Sequence, residues 1–145
     1  MNTTDNKDWI VAKPKEVGHG VFLYYLSIVS GIVGAVIDPN IRITDTLGIG
    51  LMLLIFAFLI FLINKISKGR NWARITMLVL FLLGSPVSVL FYIEDFNREP
   101  MLGTLKIIIF ILQAASLCLF FTKSSNAWFK TQKAASQSSE ANRSH

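Results

Sequence analysis

The sequence predicts an all-α integral membrane protein, an up-down four-helix bundle with both termini in the cytoplasm. Its 145 residues are 52% hydrophobic and only 16% charged, with a mean hydropathy of +0.52. The apolar residues are gathered into long uncharged runs, which a soluble core does not require. The connections between the runs are short, and short connections favour antiparallel neighbours. The length fits a single domain.

Four apolar runs define a predicted membrane domain over residues 20–121. The second and third runs are the clearest, because Leu47–Ile63 and Ile75–Ile93 contain no charged residue. At about 1.5 Å per residue these helices would be roughly 26 and 28 Å long, close to a hydrocarbon core of roughly 30 Å. Backbone groups in lipid must hydrogen-bond within the chain, so we expect each run to be a helix. The predicted spans are residues 20–37, 47–64, 73–93 and 101–121.

The basic residues lie mostly on one side of these spans. Of the 14 Lys and Arg residues, three precede the first span, four lie in the linker Lys65–Arg74 (KISKGRNWAR), and four follow the last span. Short loops rich in Lys and Arg stay in the cytoplasm. The linker and both tails, residues 1–19 and 122–145, are therefore predicted to be cytoplasmic, with residues 134–145 disordered. The same bias explains the net charge of +5 without a nucleic-acid partner.

The linker is the most distinctive stretch and carries the candidate interaction site. Gly69 suits the positive-φ position that ends a helix, and Asn71 is predicted to cap the next helix. Trp72 suits the membrane–water boundary, and Arg74 is long enough to reach lipid phosphates. One interpretation is a docking or lipid-headgroup site made of Arg70, Asn71, Trp72 and Arg74. The other, which the sequence favours, is a topology anchor with a cap and an interfacial tryptophan.

A second set of candidate residues concerns helix packing. Ser27, Gly31 and Ala35 recur every four residues and share one face of the first span. Small residues at this spacing let two helices approach closely. The face would serve either homodimerisation or packing within the chain. The second interpretation is favoured because three other helices are available.

Two further features mark the interiors of the later spans. Pro86 removes one helical hydrogen bond and is predicted to bend the third span, with Ser85 or Ser88 satisfying the freed carbonyl. Gln113 lies near the middle of the fourth span, where an amide needs a partner across a helix interface. Kinked helices occur at gates and also as plain packing features, so Pro86 alone does not indicate a function.

Acidic residues mark the predicted outer loops. Asp38 follows the first span, and Glu94, Asp95 and Glu99 follow the third. The second outer loop, with Glu94, Asp95, Arg98 and Glu99, could bind a cation, but its spacing does not match a calcium-binding loop, so we expect a solvated loop. Lys106, near the outer end of the fourth span, is predicted to extend to the interface and needs no special role.

The sequence lacks a recognisable catalytic constellation, and we expect neither enzymatic activity nor a cofactor. No span carries an ionisable residue near its centre, which argues against a proton-coupled pump within one chain. The two histidines, His19 and His145, lie in or next to the tails, so no metal site is predicted. Cys118 is the single cysteine, so no disulfide forms within the chain.

The segment Lys65–Pro86 (KISKGRNWARITMLVLFLLGSP) resembles a group of small bacterial inner-membrane proteins of unassigned activity. These proteins carry a GRNWAR-type linker, a Leu/Phe-rich helix and a Gly-x-Pro bend. Pro14–Val17 (PKEV) and Phe121–Lys130 (FTKSSNAWFK) are similar to the same group, so the likeness covers most of the membrane part. It implies a four-span bacterial membrane protein and supplies no catalytic residues.

Three function classes fit these observations. The favoured one is a non-enzymatic interaction or accessory protein, with the lipid bilayer, a membrane-protein partner or a second copy of the chain as its partners. The alternative is a small-molecule exporter acting as an oligomer, similar in size to the small multidrug-resistance exporters. Those exporters rely on a glutamate in the first span, and Val21–Ile37 has none. A polar cavity reaching Gln113 would favour the exporter, and a headgroup-level cleft with converging acids or histidines would favour a membrane enzyme acting on lipid.

Overall fold

The computed structural model describes residues 12–38 and 46–141 of the chain, and this part is helical throughout apart from short connections. We number the helices in chain order. They are α1 (Lys15–Ile37), α2 (Thr46–Ser67), α3 (Asn71–Arg98), α4 (Pro100–Phe120) and α5 (Lys123–Ala141). The all-α prediction is therefore confirmed for the described residues, and four of the helices match the four predicted spans.

The helices α1, α2 and α4 are each long and apolar enough to cross a membrane. Helix α3 reaches the same standard when its two segments, Asn71–Pro86 and Ser88–Arg98, count as one span. The described residues thus include three helices of membrane-spanning character, or four with the bent helix included. Pro100 is the first residue of α4, the position where its missing N–H costs no helical hydrogen bond.

Neighbouring helices run antiparallel, as several contacts show. The start of α1 touches the end of α4, because the Ser116 hydroxyl donates to the Gly20 carbonyl over 2.6 Å. The end of α2 lies beside both α1 and α3. The Tyr25 hydroxyl donates to Asn64 over 3.1 Å, and the rings of Phe61 and Trp72 have centroids 6.3 Å apart.

This arrangement gives the bundle two distinct ends. We call the end that carries the α2–α3 linker and α5 the linker end. The opposite end, where α1 and α3 finish and α4 begins, is the far end. The buried apolar core lies mainly toward the linker end, where it is formed by residues of all five helices: Val17, Tyr24, Ile28, Leu62, Ile63, Ile66, Ala73, Met77, Leu117, Phe120, Trp128 and Phe129.

Close packing of α1 against α4 depends on small residues seven apart. A Cβ on Gly20 would lie 2.7 Å from the Phe120 ring, and one on Gly34 would lie 3.3 Å from Leu105. Ser27 lies midway between these glycines on the same face and is 1% exposed.

The predicted small-residue face is divided between two neighbours. Ser27 lies on the α4 side, whereas Gly31 approaches α2, because a Cβ on Gly31 would lie 3.6 Å from the ring of Phe56. Ala35 is half-buried. Ser27 and Gly31 thus lie toward two different helices of the same chain.

The predicted bend of α3 is present at Pro86. The segments on either side meet at 42°. Proline cannot donate to the carbonyl four residues before it, which is that of Leu82. The Ser85 hydroxyl donates to this carbonyl over 3.4 Å, as one of the two predicted alternatives requires.

The C-terminal segment differs from the sequence expectation. Residues 134–145 were expected to be disordered, but α5 continues to Ala141. Its residues are mainly alanine, glutamine, lysine and serine without glycine or proline, and such residues tolerate a helix. Serine hydroxyls add local bonds, since Ser136 donates to the Lys133 carbonyl over 2.8 Å. Residues 142–145 lie outside the described part.

Candidate functional site at the linker end

The linker turns sharply between α2 and α3. Gly69 has a φ of 76°, the left-handed conformation that glycine adopts without steric cost, and this confirms the predicted helix end. The predicted cap at Asn71 is wrong, because α3 begins one residue earlier than a cap there would require. Arg70 occupies the cap position and makes no side-chain cap bond. The Asn71 side chain instead accepts from Nε of Arg74 over 2.5 Å.

Arg74 is buried at the junction of three helices and is 7% exposed. Its Nη1 donates to the Phe120 carbonyl over 3.1 Å and to Oδ1 of Asn126 over 2.7 Å. The guanidinium also lies 4.4 Å from the ring centroid of Phe129 and 5.1 Å from that of Phe121. Hydrogen bonds and cation–π contacts both offset the cost of burying this charge.

Arg74 therefore completes the end of α4. The last carbonyls of a helix have no partner within that helix, and Arg74 supplies one for Phe120. Asn126 acts on the next residue, since its Nδ2 donates to the Phe121 carbonyl over 2.9 Å. Ser125 donates to the Leu119 carbonyl over 2.7 Å. These bonds fix the turn from α4 into α5, and so fix α5 against the linker.

A cavity of about 570 Å³ lies between the linker and α5. All of its charged lining residues are basic, namely Lys68, Arg70 and Lys133. Of the four site residues predicted from the sequence, it brings together Arg70, Asn71 and Trp72, whereas Arg74 lies outside it. The full lining is Lys68, Gly69, Arg70, Asn71, Trp72, Ile75, Gln132, Lys133, Ala135 and Ser136. We call this the basic cavity.

The α5 side of the basic cavity was missed from the sequence. Gln132 and Ser136 are four residues apart and share one helical face. This pattern was not identified because residues 134–145, which include Ser136, were expected to be disordered. Because Gly69 has no side chain, the linker and α5 approach each other closely at this position. A Cβ on Gly69 would lie 2.8 Å from Cγ of Gln132 and 3.3 Å from the Trp128 ring, so the linker backbone packs directly on α5.

A second cavity, of about 530 Å³, lies within the bundle beside α2 and α3. Its lining is mainly apolar but includes Gln113, Tyr92, Ser85 and Ser88. Gln113 is half-buried there. Pro86 is exposed and does not line it, although its neighbours in α3 do. We call this the mid-bundle cavity.

The far end holds an ion network that sequence reasoning did not identify. Nζ of Lys106 lies 2.9 Å from Oδ2 of Asp38 and 2.7 Å from Oδ2 of Asp95. The Asp38 side chain is only 7% exposed. The expectation that Lys106 simply extends to the interface is therefore wrong, and so is the expectation of solvation for Asp95, whereas Glu94 and Glu99 of the same loop are exposed. The residues approach only because α1, α3 and α4 meet here.

The remaining reactive groups are dispersed. Within residues 12–38 and 46–141, no three His, Cys, Asp or Glu side chains are grouped so as to hold a metal ion. Cys118 is a free, exposed thiol on α4. Comparisons with protein-family models, curated proteins and solved structures found no match to this chain. The two cavities and the charges around them are therefore the features from which a function can be inferred.

Proposed function

We propose that this protein is a four-span, multi-pass protein of the bacterial inner membrane with both termini in the cytoplasm. It is a non-enzymatic interaction or accessory protein that binds another membrane component at its linker end. The charge distribution supports this orientation, because the linker end carries the basic linker while Asp38, Asp95 and Glu99 lie at the far end.

The basic cavity is the observation that carries this proposal. A topology anchor needs only positive charge in a loop, and it needs no second element beside that loop. Here α5 is fixed against the linker through Arg74 and Asn126. The result is a concave basic site with a volume of about 570 Å³, which lies within the range of small-molecule binding sites.

The test compares two variants with equal loss of charge. Intact protein is extracted into nanodiscs from its own host membrane, purified, and its co-purified proteins and lipids are identified by mass spectrometry. The site variant is Arg70→Gln with Lys133→Gln. The matched control is Lys123→Gln with Lys130→Gln, two exposed residues that do not line the cavity.

We expect one protein or lipid to co-purify reproducibly with the wild type and the control, and to be depleted from the site variant. A component retained equally by all three proteins would contradict a role for the linker end. A wild-type sample with no enriched component would contradict the interaction function itself.

The mid-bundle cavity supports a second candidate, a small-molecule exporter that works as an oligomer. A polar cavity that reaches Gln113 would favour this candidate, and the mid-bundle cavity reaches that residue with a lining that is mainly apolar. Its lining suits an apolar compound with few polar groups, since hydroxyl and amide groups are scattered among aliphatic and aromatic side chains.

Filling this cavity separates the two candidates. Gly84 lines the mid-bundle cavity, and a Cβ there would meet nothing within 4 Å, so Gly84→Leu fills space without a clash at Cβ. Gly50→Leu is the control, because Gly50 has the same free space and lies outside the cavity. The exporter function predicts that Gly84→Leu alone abolishes efflux of a neutral lipophilic fluorescent dye from cells. Equal efflux in both variants and in cells without the protein would contradict it.

A further inference from the structure

We infer that the basic cavity binds the phosphate group of an anionic ligand, with its oxyanion between Arg70, Lys133 and the first turn of α3. This inference rests on the proposed function and names the ligand chemistry for the same site. The same phosphate chemistry occurs in a glycerophospholipid headgroup and in a soluble phosphate ester, and the experiment below distinguishes these sources.

The charge of the basic cavity is not neutralised within the described part of the chain. The ion pairs among the described residues all lie at the far end, where Arg98 pairs with Glu94, and Lys106 pairs with Asp38 and Asp95. Lys68, Arg70 and Lys133 are exposed and take part in none of them. Three cations from two elements therefore surround one concavity without a carboxylate in its lining. An anion entering it would meet only opposite charge.

Hydrogen-bond donors of the right kind accompany this charge. Oδ1 of Asn71 is occupied by Arg74, so the side chain keeps its Nδ2 donor for another partner. The first turn of α3 has no side-chain cap. The Ala73 N–H donates to the Arg70 carbonyl over 3.2 Å, whereas the N–H groups of Asn71 and Trp72, two lining residues of the cavity, have no partner within the helix. Arg70 adds a planar fork of donors that matches two phosphate oxygens, whereas Lys133 adds a compact positive charge.

The apolar edge of the cavity favours the lipid as the source. Trp72 and Ile75 line it and are 48% and 47% exposed. They lie at the start of α3, so in the proposed orientation they are at the level of the membrane surface. A headgroup phosphate in the cavity would place its glycerol and acyl chains beside these two side chains.

Native mass spectrometry of the full-length protein in mild detergent provides the test. The probes are dioleoyl phosphatidylglycerol, dioleoyl phosphatidylcholine and glycerol 3-phosphate. The proteins are the wild type, Arg70→Gln with Lys133→Gln, and the control Lys123→Gln with Lys130→Gln. Helical circular dichroism and thermal unfolding verify that the three proteins are equally folded, as expected for exposed substitutions.

We expect the wild type and the control to bind phosphatidylglycerol equally, and the site variant to bind it at least about tenfold more weakly, because two charge-assisted contacts are lost. Phosphatidylcholine carries the same phosphodiester together with a quaternary ammonium, which Lys68, Arg70 and Lys133 repel. It should therefore bind the wild type as weakly as the site variant binds phosphatidylglycerol. Saturable binding of glycerol 3-phosphate, lost in the site variant, would support the phosphate site and assign it to a soluble ligand.

Equal binding of phosphatidylglycerol by the site variant and the control, without glycerol 3-phosphate binding, would overturn the inference. Failure here is distinguishable from failure of the proposed function. A partner that still depends on Arg70 and Lys133 in the nanodisc experiment would preserve the interaction function while excluding a phosphate ligand.

Discussion

At the linker end, the buried cation Arg74 is held by neutral acceptors and aromatic rings, whereas at the far end Lys106 is held by two carboxylates. Arg74 joins α3 to the ends of α4 and α5, and Lys106 joins α4 to the ends of α1 and α3. Both cations fasten helix ends together. They differ in what surrounds them, since most of the buried apolar core lies toward Arg74.

The difference follows from the chemistry of the two side chains. A planar guanidinium satisfies several separate acceptors and stacks on rings, so it tolerates a site without a counter-ion. An ammonium is a compact and strongly hydrated charge, and it needs nearby negative charge when water is reduced. The cation of the linker end is therefore held by geometry and that of the far end by charge, and three comparisons test how the two ends differ.

The largest effect is expected for Arg74. Arg74→Ala removes the partners of the Phe120 carbonyl and Asn126 at a buried site, and should lower the free energy of unfolding by about 3 to 5 kcal/mol. Arg74→Lys should recover less than half of this loss, because a lysine ammonium cannot place separate donors toward Asn71, Phe120 and Asn126 as the guanidinium does. Unfolding by SDS in mixed micelles measures both. The control Arg70→Ala, exposed in the same linker, should cost less than about 0.5 kcal/mol. Full recovery by lysine would show that charge alone matters there.

A glycine pair tests whether the far end is loosely packed. A Cβ on Gly103 would lie 2.5 Å from Cα of Phe96, so Gly103→Ala must move backbone. At the linker end, a Cβ on Gly20 meets mainly the Phe120 ring, which has more freedom to shift. We expect a loss of about 3 kcal/mol for Gly103→Ala and about 1 to 2 kcal/mol for Gly20→Ala in the same assay. The reverse order would mean that the far end adapts easily.

The smallest of the three effects is expected for Lys106. Lys106→Met leaves the buried Asp38 carboxylate without its cation and should cost about 2 kcal/mol, less than a fully buried pair because Lys106 is partly exposed. Adding Asp38→Asn should restore part of the loss. Removing the exposed partner of Glu94 with Arg98→Met should cost about 0.5 kcal/mol or less. No recovery in the double variant would mean that Lys106 acts through packing and not through charge.

The sequence was sufficient for features that depend on neighbouring residues. The apolar runs predicted α1 to α4. The ease with which glycine adopts a positive φ predicted the turn at Gly69, and the missing backbone N–H of proline predicted the bend at Pro86. Three of the four residues of the predicted interaction site do line one cavity. Each of these features is encoded within a few positions of the chain, where the physical rules are local.

The sequence was insufficient where partners are distant. Arg74 bonds residues 46 and 52 positions away, and Lys106 bonds one 68 positions away. No periodicity specifies such pairs, because they depend on how the helices assemble. The polar composition of residues 134–145 suggested disorder, because composition does not show that the preceding part of α5 packs on the linker end. Its buried Trp128 and Phe129 acquire a partner surface only once the linker end is assembled.

The orientation of the bundle, with the linker end in the cytoplasm, is the central claim and can be measured directly. Single cysteines at two exposed positions, Lys68→Cys at the linker end and Asn97→Cys at the far end, are placed in a Cys118→Ser background. A membrane-impermeant maleimide is then added to intact spheroplasts and, separately, to lysed ones. We predict that Asn97→Cys is labelled in intact spheroplasts and Lys68→Cys only after lysis. Labelling of Lys68→Cys in intact spheroplasts would contradict the cytoplasmic linker end and the function proposed for it.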